Sequence, residues 1–420
     1  MLKYYSNMEV SLLAKKFEKE FGRRFSNDDK ILVEKSSSPY LVSPILSKME
    51  RKAIGVVFAE DEEDVKNVVK LCDEFQIPLV ARGAGTTTIG QVLPIYPSII
   101  LDMNGFKSKI EDEGIWVKVS PSVKVLKALE YLRKKGKELR VYPSSFYIST
   151  LGGYIAGGDV GIGSFQYGYH FDNNGIRSVK IIAPTGEYTL KEREALAVAQ
   201  AAGTTGIITE AEVATIDYEG WKDQLIRLND LDEVVKFLKS ISEYRDKIRR
   251  VTIEDSETLS LIAKDRIDTL GKWNVIVAST LSLGEEVNMR FLDELAFAAI
   301  YVTMSKLTKF KDYFYEVRLL PLNSFSRVVS QVKSNLGSNV LIHGDVMTLR
   351  GDIIIYTVFM SERENFDVID SIMLKEGIPF EIHSIEVNDR VDEPFRLELM
   401  KKYKRITDPH NILNPGKIRL

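Results

Sequence analysis

The sequence predicts an α+β protein in two parts: an N-terminal half of short strands, helices and glycine-rich turns, then a unit of antiparallel sheet and helices. Three observations predict it. The length of 420 residues exceeds one ordinary core. The first half alternates short strands and helices with glycine-rich turns. After Tyr218 the glycine-rich turns give way to amphipathic helices between strands, the texture of a separate α+β unit.

Taken in order, Leu13–Phe21 has helical charge spacing and a polar stretch follows at Ser36–Pro39. Ile54–Phe58 is a short strand. Ala59–Val65 opens a helix with acids in its first turn, where they suit the helix dipole. Ile77–Arg82 is a second strand running into a glycine-rich turn, and Ser98–Asp102 and Ile115–Val119 are further strands. Val123–Lys135 has helical spacing. From Leu151 to Gly168 there are seven glycines, a density that predicts a long loop whose backbone approaches something closely. Strands resume at Ser178–Pro184 and Ile207–Ile216.

In the second half, Leu231–Tyr244, Glu285–Ala299, Ser324–Leu336 and Arg363–Lys375 have helical period. Arg250–Glu254, Trp273–Ala278, Tyr313–Leu320, Val340–His343 and Asp352–Met360 read as strands. Arg390–Ile406 is a final helix before the extended tail Asp408–Leu420. The expected division is 1–217 (core motifs 50–217), then 218–385, then 386–420 returning to the first domain.

Composition narrows the function classes. A hydrophobic share of 44% and a charged share of 28% are those of a soluble globular protein. A formal net charge of −3 gives no basic surface for nucleic acid. No apolar run reaches the roughly 18 residues of a membrane span, and the N-terminus lacks signal-peptide order, so a cytoplasmic location is expected. Cys72 is the only cysteine, which excludes an internal disulfide, an all-cysteine zinc site and a chain-borne iron–sulfur cluster. Its place on the helix Glu62–Phe75 predicts a buried packing role. Low cysteine with many Lys, Glu and Ile leans towards a thermophile.

Four segments carry chemistry. Val80-Ala-Arg82-Gly83-Ala84-Gly85-Thr86-Thr87-Thr88-Ile89-Gly90 is a turn free of bulky side chains, so backbone N–H groups can converge on an anion such as a pyrophosphate. It is neither a P-loop nor a Rossmann fingerprint, because no Gly-Lys-Ser/Thr follows and Thr88 replaces the third glycine. Taken alone it reads equally as a tight turn after a strand. Ser149-Thr150-Leu151-Gly152-Gly153-Tyr154-Ile155-Ala156-Gly157-Gly158 offers backbone to a flat or extended ligand. The third is Ala202-Gly-Thr-Thr-Gly206-Ile207-Ile208-Thr209-Glu210, and the fourth is the tail, with Leu413-Asn414-Pro415-Gly416-Lys417.

In this order and spacing the four segments resemble the FAD-linked oxidases of the vanillyl-alcohol oxidase superfamily, in the glycolate oxidase, D-lactate and D-2-hydroxyglutarate dehydrogenase branch. The likeness is strong over residues 37–217 and from Leu397 onward, and between them it is only an order of elements. It implies a two-subdomain FAD-binding domain with a substrate cap, the flavin lying between them. It implies that Arg82, Gly83, Ala84, Gly85, Thr86 and Thr87, with Gly90 and Gln91, form the pyrophosphate loop. Pro143, Thr150, Leu151, Gly152, Gly153, Ala156, Gly157 and Gly158 would follow the ribityl and isoalloxazine portions. Gly206, Ile207 and Ile208 would hold the adenine or dimethylbenzene edge, and Asn414 and Lys417 would return from the C-terminus. Covalent relatives often carry His four residues after the loop's arginine. Here Thr86 stands there, so non-covalent FAD is expected.

The chain departs from that branch in its metal motif. The branch has His-Xaa-Gly-Asp-Gly-Asn-Leu-His and a later Glu-His-Gly-Ile-Gly. This chain has Leu341-Ile-His343-Gly344-Asp345, with His343 one place off, and Phe380-Glu381-Ile382-His383. No metal is expected; the weak candidates for one are His343, Glu381 and His383. The chemistry of the branch needs a base for a hydroxyl proton while hydride leaves carbon for flavin N5. His383 and His343 are the candidates, against the bland reading of a hydrogen-bonded strand-end histidine. An anion clamp is sought in Arg318 or Arg350, with Arg327, Arg363 and Arg390 as nearby alternatives. The expected function is oxidation of a small 2-hydroxy acid such as lactate or glycolate. Two alternatives stay open: an alditol, sugar lactone or glycerol phosphate as substrate, or a flavin subunit feeding an iron–sulfur partner. A homo-oligomer is compatible with both.

Overall fold

The computed structural model of this protein describes residues 7–38, 46, 53–263, 269–287, 304, 313–379 and 384–420. Three sheets organise it. In the first, strands Ala53–Phe58, Ser98–Asp102 and Leu79–Arg82 lie parallel in that spatial order, with Phe25–Ser26 antiparallel at the edge. All five residues of Ser98–Asp102 are buried, as a central parallel strand covered on both faces must be. The helix Glu62–Phe75 packs against this sheet through Val65, Val68, Val69 and Cys72, one stripe at helical spacing. Asp61 caps it by accepting from the Asp64 N–H at 3.0 Å. Burial pushes the Cys72 thiol far up and keeps it protonated.

The second sheet is antiparallel and centred on the long strand Ile207–Asp217, which pairs with Trp116–Val119, Ile176–Ala183 and Lys137–Leu139. Gly186–Lys191 extends it at one edge, an exposed strand whose polar residues hid it from sequence reading. The third sheet has seven antiparallel strands in the spatial order Glu285–Glu286, Lys222–Leu228, Trp273–Ser279, Ile248–Asp255, Val340–Leu349, Asp352–Glu362 and Tyr313–Pro321. Helices Leu231–Ser242, Leu322–Leu336 and Phe366–Lys375 cover one face, burying Val234, Phe325, Val329 and Ile369 against Ile253, Ile342, Ile355 and Phe359. Because side chains alternate along a strand, Leu341, His343 and Asp345 fall on the opposite face, with Tyr356 beside them.

Arg249 ties the second and third sheets together. Its fully buried guanidinium donates to Glu138 Oε1 at 2.9 Å and to the carbonyls of Leu139 and Arg140 at 2.6 Å each.

Three expectations differ from the structure. Leu151–Gly168 is not one loop: Leu151–Gly157 is a short helix capped by Thr150 and Ser164–Tyr167 is a helical turn. Its glycines serve close packing, since a Cβ at Gly152 would lie 2.8 Å from Pro121 Cα. The final helix, expected from Arg390, begins at Pro394, and Arg390 instead ends the separate turn Val387–Arg390, because Pro394 has no N–H to continue a helix and forces Glu393 extended. Glu285–Glu286 is an edge strand rather than a helix start, and from residue 288 that expected helix lies outside the described residues. No described helix is long and apolar enough to cross a membrane.

Candidate active site

The glycine-rich turn after Leu79–Arg82 and the segment Thr150–Gly158 cross face to face. A Cβ on Gly83 would overlap Thr150 Oγ1, and Gly153 Cα lies 3.6 Å from the same point. Two backbones meet there without side chains, and a groove runs through the crossing. One end is walled by Met103, Gly152, Ala156, Gly206, Ile207 and Ile208. The other opens into a cavity walled by Gly83–Ile89, Pro143, Ser149, Gly158, Asp159, Val160, His343, Asp345 and Tyr356. Gly83, Gln91, Thr150, Gly153 and Gly157 belong to both. An elongated groove, apolar at one end, backbone-lined at its waist and polar at the other end, fits the adenine, pyrophosphate and isoalloxazine of FAD.

Hydroxyls and amides set the shape of the waist. Thr87 Oγ1 accepts from the N–H groups of Ile89 and Gly90 at 3.1 Å each and donates to the Gln91 side-chain oxygen. Gln91 Nε2 donates to the Gly157 carbonyl at 3.0 Å. Thr86 Oγ1 lies 2.8 Å from Ser149 Oγ. Arg82 Nη1 donates to the Ser37 carbonyl at 2.5 Å, which props the loop.

The C-terminal tail closes the groove from behind. Leu79 donates to the Ile412 carbonyl and Asn414 donates back to Leu79, both at 2.8 Å. Asn414 Nδ2 holds the carbonyls of Gln91 and Ala202 at 2.9 and 2.7 Å, while its buried Oδ1 has no partner among the described residues. Lys417 Nζ donates to the Gly90 carbonyl at 2.7 Å. Burial and the nearby Arg390 push that ammonium down to about 7. Asn414, Lys417 and Gly90 thus stand behind the wall, and Leu151 is in the core beneath it.

The third sheet contributes the reactive end. His343 Nδ1 lies 2.6 Å from Glu254 Oε1, its neighbour across the strand pair. His343 Nε2 lies 3.2 Å from Asp345 Oδ2, two residues along the same strand. Thr252 Oγ1 donates to Asp345 Oδ1 at 2.7 Å. Burial opposes a charge on the imidazole, yet Glu254 and Asp345 outweigh it and push His343 up to about 10. Burial lifts the Glu254 carboxyl despite the imidazole, whereas Asp345 is held below its ordinary value by His343. Of the two carboxylates, Asp345 keeps its charge to the lower pH.

The other candidates scatter. Arg318 is buried but committed to the Pro379 carbonyl, Glu316 and Asp370. Arg350 is exposed and pairs with Asp392 and Glu393. Neither borders the cavity. Glu381 and His383 lie outside the described residues. Among the described residues no three His, Cys, Asp or Glu side chains are arranged to hold a metal. Asp345, Glu254, Asp159 and Tyr356 were not singled out from sequence. Spacing of two on a strand could have linked His343 to Asp345, but Glu254 comes from 89 residues away.

Fold and groove together define a flavin-dependent oxidoreductase whose cofactor domain is completed by its own C-terminus. Residues 53–190 match the FAD binding domain and residues 385–418 match the C-terminal domain of FAD linked oxidases. The chain thus carries a FAD binding domain and a segment of the C-terminal domain of FAD linked oxidases. It is 23% identical to the glycolate oxidase subunit GlcD of Bacillus subtilis, over 87% of this chain and 88% of the relative. It is also 23% identical to the mitochondrial D-lactate dehydrogenase [cytochrome] of Arabidopsis thaliana, over 86% of this chain and 73% of the relative. In fold it is similar to an alkyldihydroxyacetonephosphate synthase, with a TM-score of 0.71 and 16% identity over 99% of this chain and 85% of that one.

Proposed function

We propose that this protein oxidises the carbinol carbon of a small 2-hydroxy acid, with FAD held non-covalently along the groove. The observation that carries the reading is the Glu254–His343–Asp345 row at the cavity end of that groove. The names of the two sequence relatives, a glycolate oxidase subunit and a D-lactate dehydrogenase, support it. The FAD-holding part comprises 1–217 with 386–420, and 218–385 forms the cap.

When bound, FAD supplies the two-electron acceptor. The chain's own work is to place the hydroxyl and receive its proton. Both ring nitrogens of His343 face carboxylates, so the imidazole has no free lone pair for a substrate proton. Asp345, on the cavity wall, is the acceptor, and His343 stabilises the carboxylate and fixes its orientation. The same occupied nitrogens support a flavin held without a bond to His343 and a site without a metal.

Anaerobic bleaching of the purified protein by D- and L-hydroxy acids, sugar acids, alditols and glycerol phosphates tests this. Loss of flavin absorbance with a 2-hydroxy acid is expected, and bleaching only by a neutral polyol or a phosphate ester would overturn it. The word subunit in one relative's name supports a second reading, in which electrons leave to an iron–sulfur partner. Co-purification of a cysteine-rich protein tests that.

A further inference from the structure

The helix Leu151–Gly157 runs out into a second glycine, and the chain turns there to set Asp159 on the cavity wall. Gly158 donates its N–H to the Tyr154 carbonyl at 2.7 Å, and a Cβ on it would overlap the Tyr154 ring. Tyr154 in turn donates its hydroxyl to the Asp159 carbonyl at 3.4 Å. Among the described residues, the charged side chains on this wall are Asp159, His343 and Asp345. Asp345 is engaged by His343 and Thr252, and the proton transfer to it makes no use of Asp159.

Gln200 holds Asp159 by one oxygen only. Its Nε2 donates to Asp159 Oδ1 at 2.6 Å while its Oε1 accepts from Arg396 at 3.1 Å, so the amide cannot turn over without losing both bonds. Its backbone is left-handed, φ 61°, with the N–H on the Ile155 carbonyl at 3.0 Å. A non-glycine residue keeps that conformation only where its surroundings hold it. Asp159 Oδ2 has no partner among the described residues and stays open at the wall. Burial lifts this carboxyl, and Arg390, the Gln200 amide and Arg396 pull against the rise.

We infer that Asp159 Oδ2 is the hydrogen-bond partner of a second substrate hydroxyl, on a carbon beyond the one oxidised, so that the cavity selects polyhydroxy acids over acids with a single hydroxyl. This rests on the hydroxy-acid reading above and narrows it. Asp345 takes the proton of the reacting hydroxyl, and Asp159 holds the other hydroxyl with no bond made or broken there. A substrate lacking that hydroxyl leaves a carboxyl oxygen unpaired in the closed cavity. A site built around such a bond discriminates strongly against the analogue without it.

The test uses FAD-loaded protein and two pairs of acids that differ only in hydroxyls beyond C2. They are 2,3-dihydroxypropanoate against 2-hydroxypropanoate, and 2,3,4-trihydroxybutanoate against 2-hydroxybutanoate, with every stereoisomer included. The rate of anaerobic flavin reduction is read at subsaturating substrate. In at least one pair the polyhydroxy acid should reduce the unaltered protein about tenfold faster or more; equal rates in both pairs would overturn the inference with no variant needed. Asp159→Ala should bring that ratio to within about threefold, the loss falling on the polyhydroxy acid. An equal loss for both members of the pair would mean that Asp159 serves the flavin or the fold, and would overturn the assignment. Should Asp159→Ala fail to load FAD, Asp159→Asn, which keeps the shape, carries the comparison and should lose at least threefold of the ratio; a full ratio retained there would also overturn it. A flavin bleached only by neutral polyols would sink the hydroxy-acid reading and this inference with it, whereas a monohydroxy acid as fast as its polyhydroxy partner sinks the inference alone.

Discussion

His343 Nδ1 lies 2.6 Å from Glu254 Oε1 across adjacent antiparallel strands, both residues buried and both on the face turned to the cavity. Asp345 engages the other ring nitrogen. The two carboxylates push the imidazole towards its charged form, and in the proposed mechanism it serves Asp345 instead of acting as the base. What each group does can be separated by substitution.

Asp345→Asn keeps the size of the side chain and removes the proton acceptor. The rate of anaerobic flavin reduction by the substrate should fall by about 10²–10⁴-fold, the usual contribution of a general base. FAD content should stay unchanged. A rate within threefold of the parent would remove Asp345 from the mechanism.

Glu254→Gln addresses the pH dependence of stability. The folded imidazole is pushed up to about 10, against an unfolded value of about 6.5. Its stabilisation is therefore complete below about pH 6.5 and is lost as pH rises through about 10. Urea midpoints taken across this window should fall for the parent protein, and the fall should be smaller in Glu254→Gln. Parallel curves for the two proteins would contradict the pairing.

Gly152→Ala sets helix propensity against packing. Alanine gains about 0.5–1 kcal/mol in a helix, but its Cβ would lie 2.8 Å from Pro121 Cα, and overpacking costs about 1–3 kcal/mol. The thermal midpoint should drop rather than rise. In Gly153→Ala the new Cβ meets Thr150 Oγ1 at 3.0 Å beside the groove. FAD affinity, measured by titration of the apoprotein, should weaken about 10-fold or more for a similar cost.

Lys404 and Asp408 form a fully buried pair at 2.5 Å, and Lys404 also holds the Leu413 carbonyl at 2.8 Å. Lys404→Met leaves Asp408 buried without its cation, which costs about 3–5 kcal/mol. The urea midpoint should fall accordingly. Proteolysis within 408–420 should quicken, since the tail loses its clamp to the first sheet.

The cofactor groove was legible in the sequence because it is made of backbone. Gly83, Thr150, Gly153 and Ile207 announce themselves through glycine spacing and small side chains, which report what the main chain must do locally. The helix Glu62–Phe75 and the strand Ser98–Asp102 were legible for the same reason, since apolar period and capping are local. The helix at Leu151–Gly157 was missed because glycine density argues against helices until Pro121, distant in sequence, supplies the packing reason.

The reactive end was decided by tertiary structure. Alternation along Val340–Leu349 puts His343 and Asp345 on one face, but only pairing with Ile248–Asp255 brings Glu254 to the imidazole and changes its protonation. Arg318 and Arg390 look alike in sequence, both arginines beside strands or turns; the fold pairs both Nη groups of Arg318 and only one of Arg390. Charge and proton affinity depend on what lies within a few ångströms across the chain, and local sequence spacing carries no record of that.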